Sequence, residues 1–169
     1  MDGLMLPPRA GRLICGGALH ATLKVPGGPG AVTSTFEIAV PPGYDVGAHV
    51  HGKAEELFYV VEGQLDLLAF EPAVRTPGDW HEWTSRSGDR FLRGGPGSLL
   101  FVPPGCPHAF ANPGDRPAVV LFQSAPSGHE DYLEELAALL RAADGPPDQA
   151  AIAELRARYD IEQLTALRA

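Results

Sequence analysis

Cysteine, basic charge and long apolar runs are all scarce in this sequence. The two cysteines, Cys15 and Cys106, lie far apart and lack metal-ligand spacing to each other. A disulfide scaffold and a thiolate cluster are therefore excluded, and free thiols are expected. Thirteen Lys and Arg stand against 21 Asp and Glu, for a formal net charge of -8 and a pI near 5.1. That balance excludes nucleic acid as a partner, because such binding draws on cationic contacts with phosphate. No apolar run approaches bilayer-spanning length, so no integral membrane protein is expected. The stretch Met1 to Pro8 has neither a basic start nor a long apolar region, so no secretory signal is read there and a cytoplasmic location is expected.

The chain has 169 residues, enough for one domain with a real core. Its 20 glycines and 17 prolines sit between short apolar runs, the pattern of an all-β chain with tight turns. The first dozen residues read as a loosely held arm. Ala18 to Val25 and Thr33 to Val40 read as a hairpin around Pro26-Gly27-Gly28-Pro29-Gly30, and Phe36, Ile38 and Val40 alternate with Thr35, Glu37 and Ala39. Strands follow at His49 to His51, Glu56 to Val61 and Gln64 to Phe70. Residues 71–89 break the rhythm as an inserted loop carrying Trp80 and Trp83, after which strands resume at Arg90 to Leu92, Ser98 to Val102, His108 to Asn112 and Ala118 to Gln123.

From Ser127 the period becomes helical. Ser127-Gly128-His129-Glu130 has the form of a capping box, and Leu133, Leu136 and Leu140 form an apolar stripe. Gly145-Pro146-Pro147 interrupts, then Ile152, Leu155 and Tyr159 start a second stripe that Ile161, Leu164 and Leu167 extend. Acids outnumber arginines across both helices, so the pair reads as a packing appendage over 127–169 and not as a DNA-reading helix-turn-helix.

The chemistry concentrates in His49-Val50-His51-Gly52-Lys53-Ala54-Glu55-Glu56. An extended His-x-His places both imidazoles on one face, within reach of one cation. Glu56 opens the next strand and can enter the same space, with Glu55 as its competitor. A further ligand is sought at His108, which follows the stiff corner Pro103-Pro104-Gly105.

These residues fill two spaced patterns. The first, G-x5-H-x-H-x(3,4)-E-x6-G, runs from Gly43 through His49, His51 and Glu56 to Gly63; the second, G-x5-P-x-G-x2-H-x3-N, runs from Gly97 through Pro103, Gly105 and His108 to Asn112. With both motifs complete, the chain resembles the cupin superfamily, in its single-domain, quercetin-dioxygenase-like branch. The resemblance implies a double-stranded β-helix (jelly-roll) barrel over 1–126, with a motif-bearing core at 18–124. It also implies one divalent metal held by His49, His51, Glu56 and His108, the six-residue spacing to Gly63 selecting Glu56 over Glu55. Nitrogen and oxygen donors without thiolate leave Fe, Mn, Ni, Co, Cu and Zn open. By the same resemblance the chain is a metal-dependent dioxygenase and a homodimer. Its substrate would be an aromatic or polyphenolic enol whose oxygen binds the metal and whose proton Glu56 accepts. A non-redox isomerase, decarboxylase or cyclase, and a barrel that only binds a small ligand, are the alternatives.

Other side chains carry competing readings. Trp80, His81 and Trp83 form either a lid over the barrel mouth or a pin holding the loop to the surface. Arg86, Arg90 and Arg93 either hold a substrate carboxylate or are solvated. Cys106 reads as a small buried thiol. Phe58, Phe101, Phe110 and Phe122 line a pocket or belong to the core. His20 and His129 receive no role.

Overall fold

A computed structural model describes residues 3–146 and 148–168. Eleven strands alternate with tight turns: β1 (Arg12–Gly16), β2 (Leu19–Val25), β3 (Ser34–Val40), β4 (His49–His51), β5 (Glu55–Glu62), β6 (Leu65–Ala69), β7 (Leu92–Gly94), β8 (Leu99–Val102), β9 (His108–Ala111), β10 (Ala118–Ala125) and β11 (Ile161–Gln163). Two helices, α1 (His129–Ala142) and α2 (Gln149–Arg158), lie between β10 and β11. The strands form a six-stranded sheet in the order β1-β2-β3-β10-β5-β8 and a five-stranded sheet in the order β11-β4-β9-β6-β7, each strand antiparallel to its neighbours. This is the jelly-roll architecture expected, with the helices near the C-terminus.

Period-two alternation decides which side chains enter the barrel. Phe36, Ile38 and Val40 of β3, Phe58 and Val60 of β5, and Val120 and Phe122 of β10 are buried together with Leu65 and Leu67 from the opposite sheet. Leu136 of α1 and Ile152 of α2 belong to the same apolar cluster, so the helices close the barrel interior. At Gly16, where β1 meets α1, a Cβ would run into the backbone of Ala137. Only glycine lets the helix lie that close.

Three local expectations are corrected. After the arm comes a strand that the reading did not include, Arg12–Gly16, paired with Leu19–Val25. The capping box does not form: Gly128 is the N-cap in a left-handed conformation, Ser127 Oγ donates to the Ala31 carbonyl, and Glu130 instead accepts from Gly27 N–H at 2.6 Å and from Ser34 Oγ. The carboxylate thus ties α1 to the barrel. The second helix stops at Arg158, and Ile161 to Gln163 is a strand against β4, pairing Ile161 with His51 and Gln163 with His49. Asp160, at φ 58, breaks the helix, and the ladder offered by β4 overrides the three-residue spacing of Ile161, Leu164 and Leu167.

The inserted loop follows the pin reading. Trp80 and Trp83 are buried with Ala48, Leu68, Ala109 and Ala111, on the outer face of the five-stranded sheet. Their indoles donate to Asp45 Oδ1 at 2.8 Å and Thr76 Oγ1 at 2.9 Å. Those positions alternate with the inward ones, so the tryptophans lie across the sheet from the barrel interior. Among the described residues, no helix is long and apolar enough to cross a membrane.

Candidate metal centre

Strand register brings the histidines together. His49 on β4 sits directly opposite His108 on β9, and His51 follows two residues along on the same face. The ring centroids lie 4.1 Å apart for His49 and His108 and 5.2 Å apart for His51 and His108. Residues 52–54 carry the chain across to the six-stranded sheet, where Glu56 faces the three imidazoles. Its Oε1 is 3.2 Å from His51 Nε2 and its Oε2 is 3.0 Å from His108 Nε2. One potential ligand atom from each of the four falls within 4.8 Å of the others. All four residues are buried, whereas Glu55 points outward and is exposed, as alternation along β5 requires.

The donors suit a cation. His51 Nε2, Glu56 Oε1 and His108 Nε2 are fully buried, and none has a hydrogen bond of acceptable geometry. Buried polar atoms without partners are costly and rare, and three converging on one point is what a ligand set for an ion looks like. Two imidazoles also have fixed tautomers. His49 Nδ1 lies 2.9 Å from the Gly47 carbonyl and His108 Nδ1 lies 3.1 Å from the Cys106 carbonyl. A carbonyl only accepts, so each Nδ1 carries the proton and each Nε2 keeps its lone pair.

Protonation favours the same use. Burial pushes His49 well below its ordinary value, with neighbouring His108 adding to the effect. Burial likewise lowers His51 to about 4, against the opposing attraction of Glu56. For Glu56, burial alone would raise the carboxyl, but His51 and His108 overcome it and hold the group at about 2. Neutral imidazoles and an ionised carboxylate are the forms that bind metals.

Outer contacts brace the cluster. Asp45 Oδ1 accepts from both Trp80 Nε1 and Gly47 N–H, each at 2.8 Å, and the Gly47 carbonyl orients His49. The inserted loop therefore acts on the site from behind. Gly105, at φ 79, turns the corner before His108 and donates its N–H to the His51 carbonyl at 2.8 Å. Asn112, the last position of the second motif, has its amide bound to the carbonyls of Val40 and Arg116. It joins strands and does not face the cluster.

A cavity of about 50 Å³ opens beside the cluster. Its wall includes His49 and Glu56, the aromatic side chains Tyr44, Phe58, Phe110 and Phe122, and from α1 His129 and Tyr132. Phe101 instead faces outward and is exposed. Arg93 pairs with Asp66 through two hydrogen bonds and Arg90 reaches the His81 carbonyl, so both are occupied away from this cavity. Cys106 is half-buried with its thiol on the Pro107 carbonyl, and it is not among the four grouped residues.

His129 received no role from sequence, yet its Nδ1 lies 3.7 Å from Glu56 Oε1 and its ring meets Phe122 edge-on at 5.1 Å. The usable signal was its place on the stripe of Leu133, Leu136 and Leu140. A histidine there must enter the interior.

Two antiparallel sheets closing over three buried imidazoles and a carboxylate define a small β-barrel protein with a site able to hold one ion. The Cupin family model matches residues 21–145, and the chain belongs to that family. Similar solved structures include an RmlC-like cupin from Shewanella frigidimarina NCIMB 400, 17% identical over 77% of this chain and 96% of that one, with a TM-score of 0.55. KdgF from Halomonas sp. is 13% identical over 78% of this chain and 93% of its own, with a TM-score of 0.50. The Cnp3 cupin domain of Schizosaccharomyces pombe is 13% identical over 73% and 74%, also at 0.50. These are likenesses of fold. No curated protein matches the sequence.

Proposed function

We propose that this cupin is a metal-dependent enzyme acting on a small organic substrate, with one divalent ion held by His49, His51, Glu56 and His108. The observation carrying this is the set of three orphaned, converging donor atoms beside a largely apolar cavity. Such an ion supplies Lewis acidity toward a substrate oxygen and, when redox-active, a route to O2. Glu56 is the proton acceptor in this reading, because its carboxylate is kept ionised by His51 and His108 despite burial and lines the cavity. Phe58, Phe110 and Phe122 keep the cavity dry and strengthen these charges.

Size selects among reactions. A cavity of about 150 Å³ accommodates benzene, and this one is about 50 Å³. A cavity of that size fits a substrate of few heavy atoms, which supports proton transfer on a small enolisable molecule, in an isomerase or lyase type of reaction. Oxygenation of an aromatic enol is the second reading, supported by the aromatic wall, and it requires α1 to move outward. Turnover assays with Fe, Mn, Co, Ni and Zn, run with an oxygen electrode and again under strict anaerobiosis, separate them. Anaerobic turnover with Zn bound selects the first, and O2 uptake with flavonols or catechols selects the second. Absence of turnover with every metal, together with unchanged ligand affinity in Glu56→Gln, would leave only a binding barrel.

The expected homodimer is proposed on one surface. On the outer face of the six-stranded sheet, Leu121, Tyr59 and Leu99 form a cross-strand row, with Phe101 in the next row, and all four are exposed. Sedimentation of the wild type and of Phe101→Glu tests it, a monomeric wild type removing the idea.

A further inference from the structure

Arg156 has no counterpart in the two motifs, and its surroundings are unusual. It belongs to α2 and is fully buried. Its Nε donates to Tyr132 Oη at 3.1 Å and its Nη2 to the Val46 carbonyl at 2.9 Å, while Nη1 is buried with no partner. Among the described residues, no carboxylate lies within ion-pairing distance of this guanidinium. A buried cation neutralised by nothing is one of the costliest arrangements in a protein interior.

The position of the charge suggests what offsets it. Tyr132 and Val46, the two groups that hold the guanidinium, both line the cavity next to the cluster, as does Tyr44. Tyr132 Oη accepts from Arg156, so its own hydrogen remains available to an acceptor. The field of Arg156 also reaches the cluster, where it is among the causes lowering His49 and His51. With a divalent ion and a single carboxylate, the interior would be net positive and dry.

We propose that Tyr132, which lines the cavity and accepts from Arg156, forms an anion subsite at the helical end of the cavity with Arg156 behind it as the positioning charge, and that the substrate is a small carboxylate anchored there with its reacting end toward Glu56. This rests on the enzymatic reading above and adds a substrate class to it. The cavity size restricts that class to acids of few heavy atoms, such as short 2-oxo or 2-hydroxy acids. Recognition is by charge at one end and by shape along the aromatic wall.

The test compares pyruvate with its neutral isostere pyruvamide by calorimetric titration of the full chain, both metal-free and Zn-loaded, with metal content measured in parallel. Wild type should bind the acid at least ~10-fold more tightly than the amide, as expected for charge-assisted hydrogen bonds. Arg156→Met should abolish that preference while keeping metal content, and Arg156→Lys should retain part of it. Equal binding of acid and amide by wild type overturns the proposal, and this needs no variant to fold. An undiminished preference in a folded Arg156→Met also overturns it, leaving Arg156 as a structural tie. Sodium chloride matching pyruvate as a competitor would make this an inorganic-anion site and overturn the substrate assignment. Failure of the metal reading appears separately, as protein that takes up no metal yet still prefers acid over amide.

Discussion

The cavity has two walls of different construction. On the strand side, His49 and His108 are placed by register and oriented by backbone carbonyls, so their positions follow from the barrel itself. On the helical side, His129 and Tyr132 reach inward from α1, with Arg156 of α2 bonded behind Tyr132, and the seating of these helices depends on apolar packing and on Glu130 binding Gly27 and Ser34. Main-chain pairing gives the first wall its precision. The second wall rests on side-chain contacts, so under the proposed function it is where substrate choice would lie.

The strongest way to break this division is to alter a strand-side donor. His108→Ala should lower metal affinity by more than ~100-fold, beyond what loss of a supporting contact costs, with the barrel still folded; metal analysis and circular dichroism read the two separately. Retained affinity would mean that the four residues do not form one site. On the other wall, Leu136→Ala should destabilise the protein by about 2–5 kcal/mol while leaving metal stoichiometry unchanged. Denaturant melts and metal titration check this, and a parallel loss of metal would erase the distinction between the walls.

Acid provides a milder probe. In metal-free protein, His49 and His51 bind protons less readily folded than unfolded. As pH falls through the unfolded value of about 6.5, the unfolded chain takes up protons that the folded chain refuses, so stability declines. The His51 contribution levels off near its folded value of about 4, and that of Glu56 is lost between its ordinary range and about 2. Thermal melts from pH 7 to pH 3 should therefore fall monotonically. Bound metal should steepen the fall, because protons then compete with the ion. A flat profile would mean that these imidazoles are not held neutral.

The smallest expected effect sharpens the comparison from outside the barrel. Trp80→Phe keeps the packing with Ala48 and Leu68 but removes the donor to Asp45, and with it one restraint on Gly47 and His49. Metal affinity should drop by up to ~10-fold, at the low end for a supporting contact. An unchanged affinity in a metal titration would show that Gly47 is held without the indole.

Sequence spacing was most informative where chemistry and backbone geometry coincide. The His-x-His alternation, the choice of Glu56 over Glu55, and the glycine corner before His108 all depend on local period and turn residues, and the structure places each where those rules put it. What escaped was set by distant partners. Ile161 to Gln163 keeps an apolar spacing compatible with a helix, and only the ladder with β4 makes it a strand. The Arg12–Gly16 strand is bordered by glycines that obscure its pattern. His129 and Arg156 were legible in principle as polar residues on apolar stripes, since Arg156 follows Ile152 by one helical turn and precedes Tyr159 by three residues. Spacing does not reveal what such a residue faces. That depends on how the helices seat against the barrel.

The pairing of β11 with β4 bears on how the protein is made. During synthesis His49, His51, Glu56 and His108 all leave the ribosome before Ile161–Gln163, the strand that flanks the two histidines of β4 on its second side. A nascent chain thus holds every candidate ligand while that strand still lacks one neighbour. Until the C-terminal segment docks, β4 has β9 as its one sheet neighbour, so a part of the chain that supplies none of the four clustered residues completes the sheet that carries two of them.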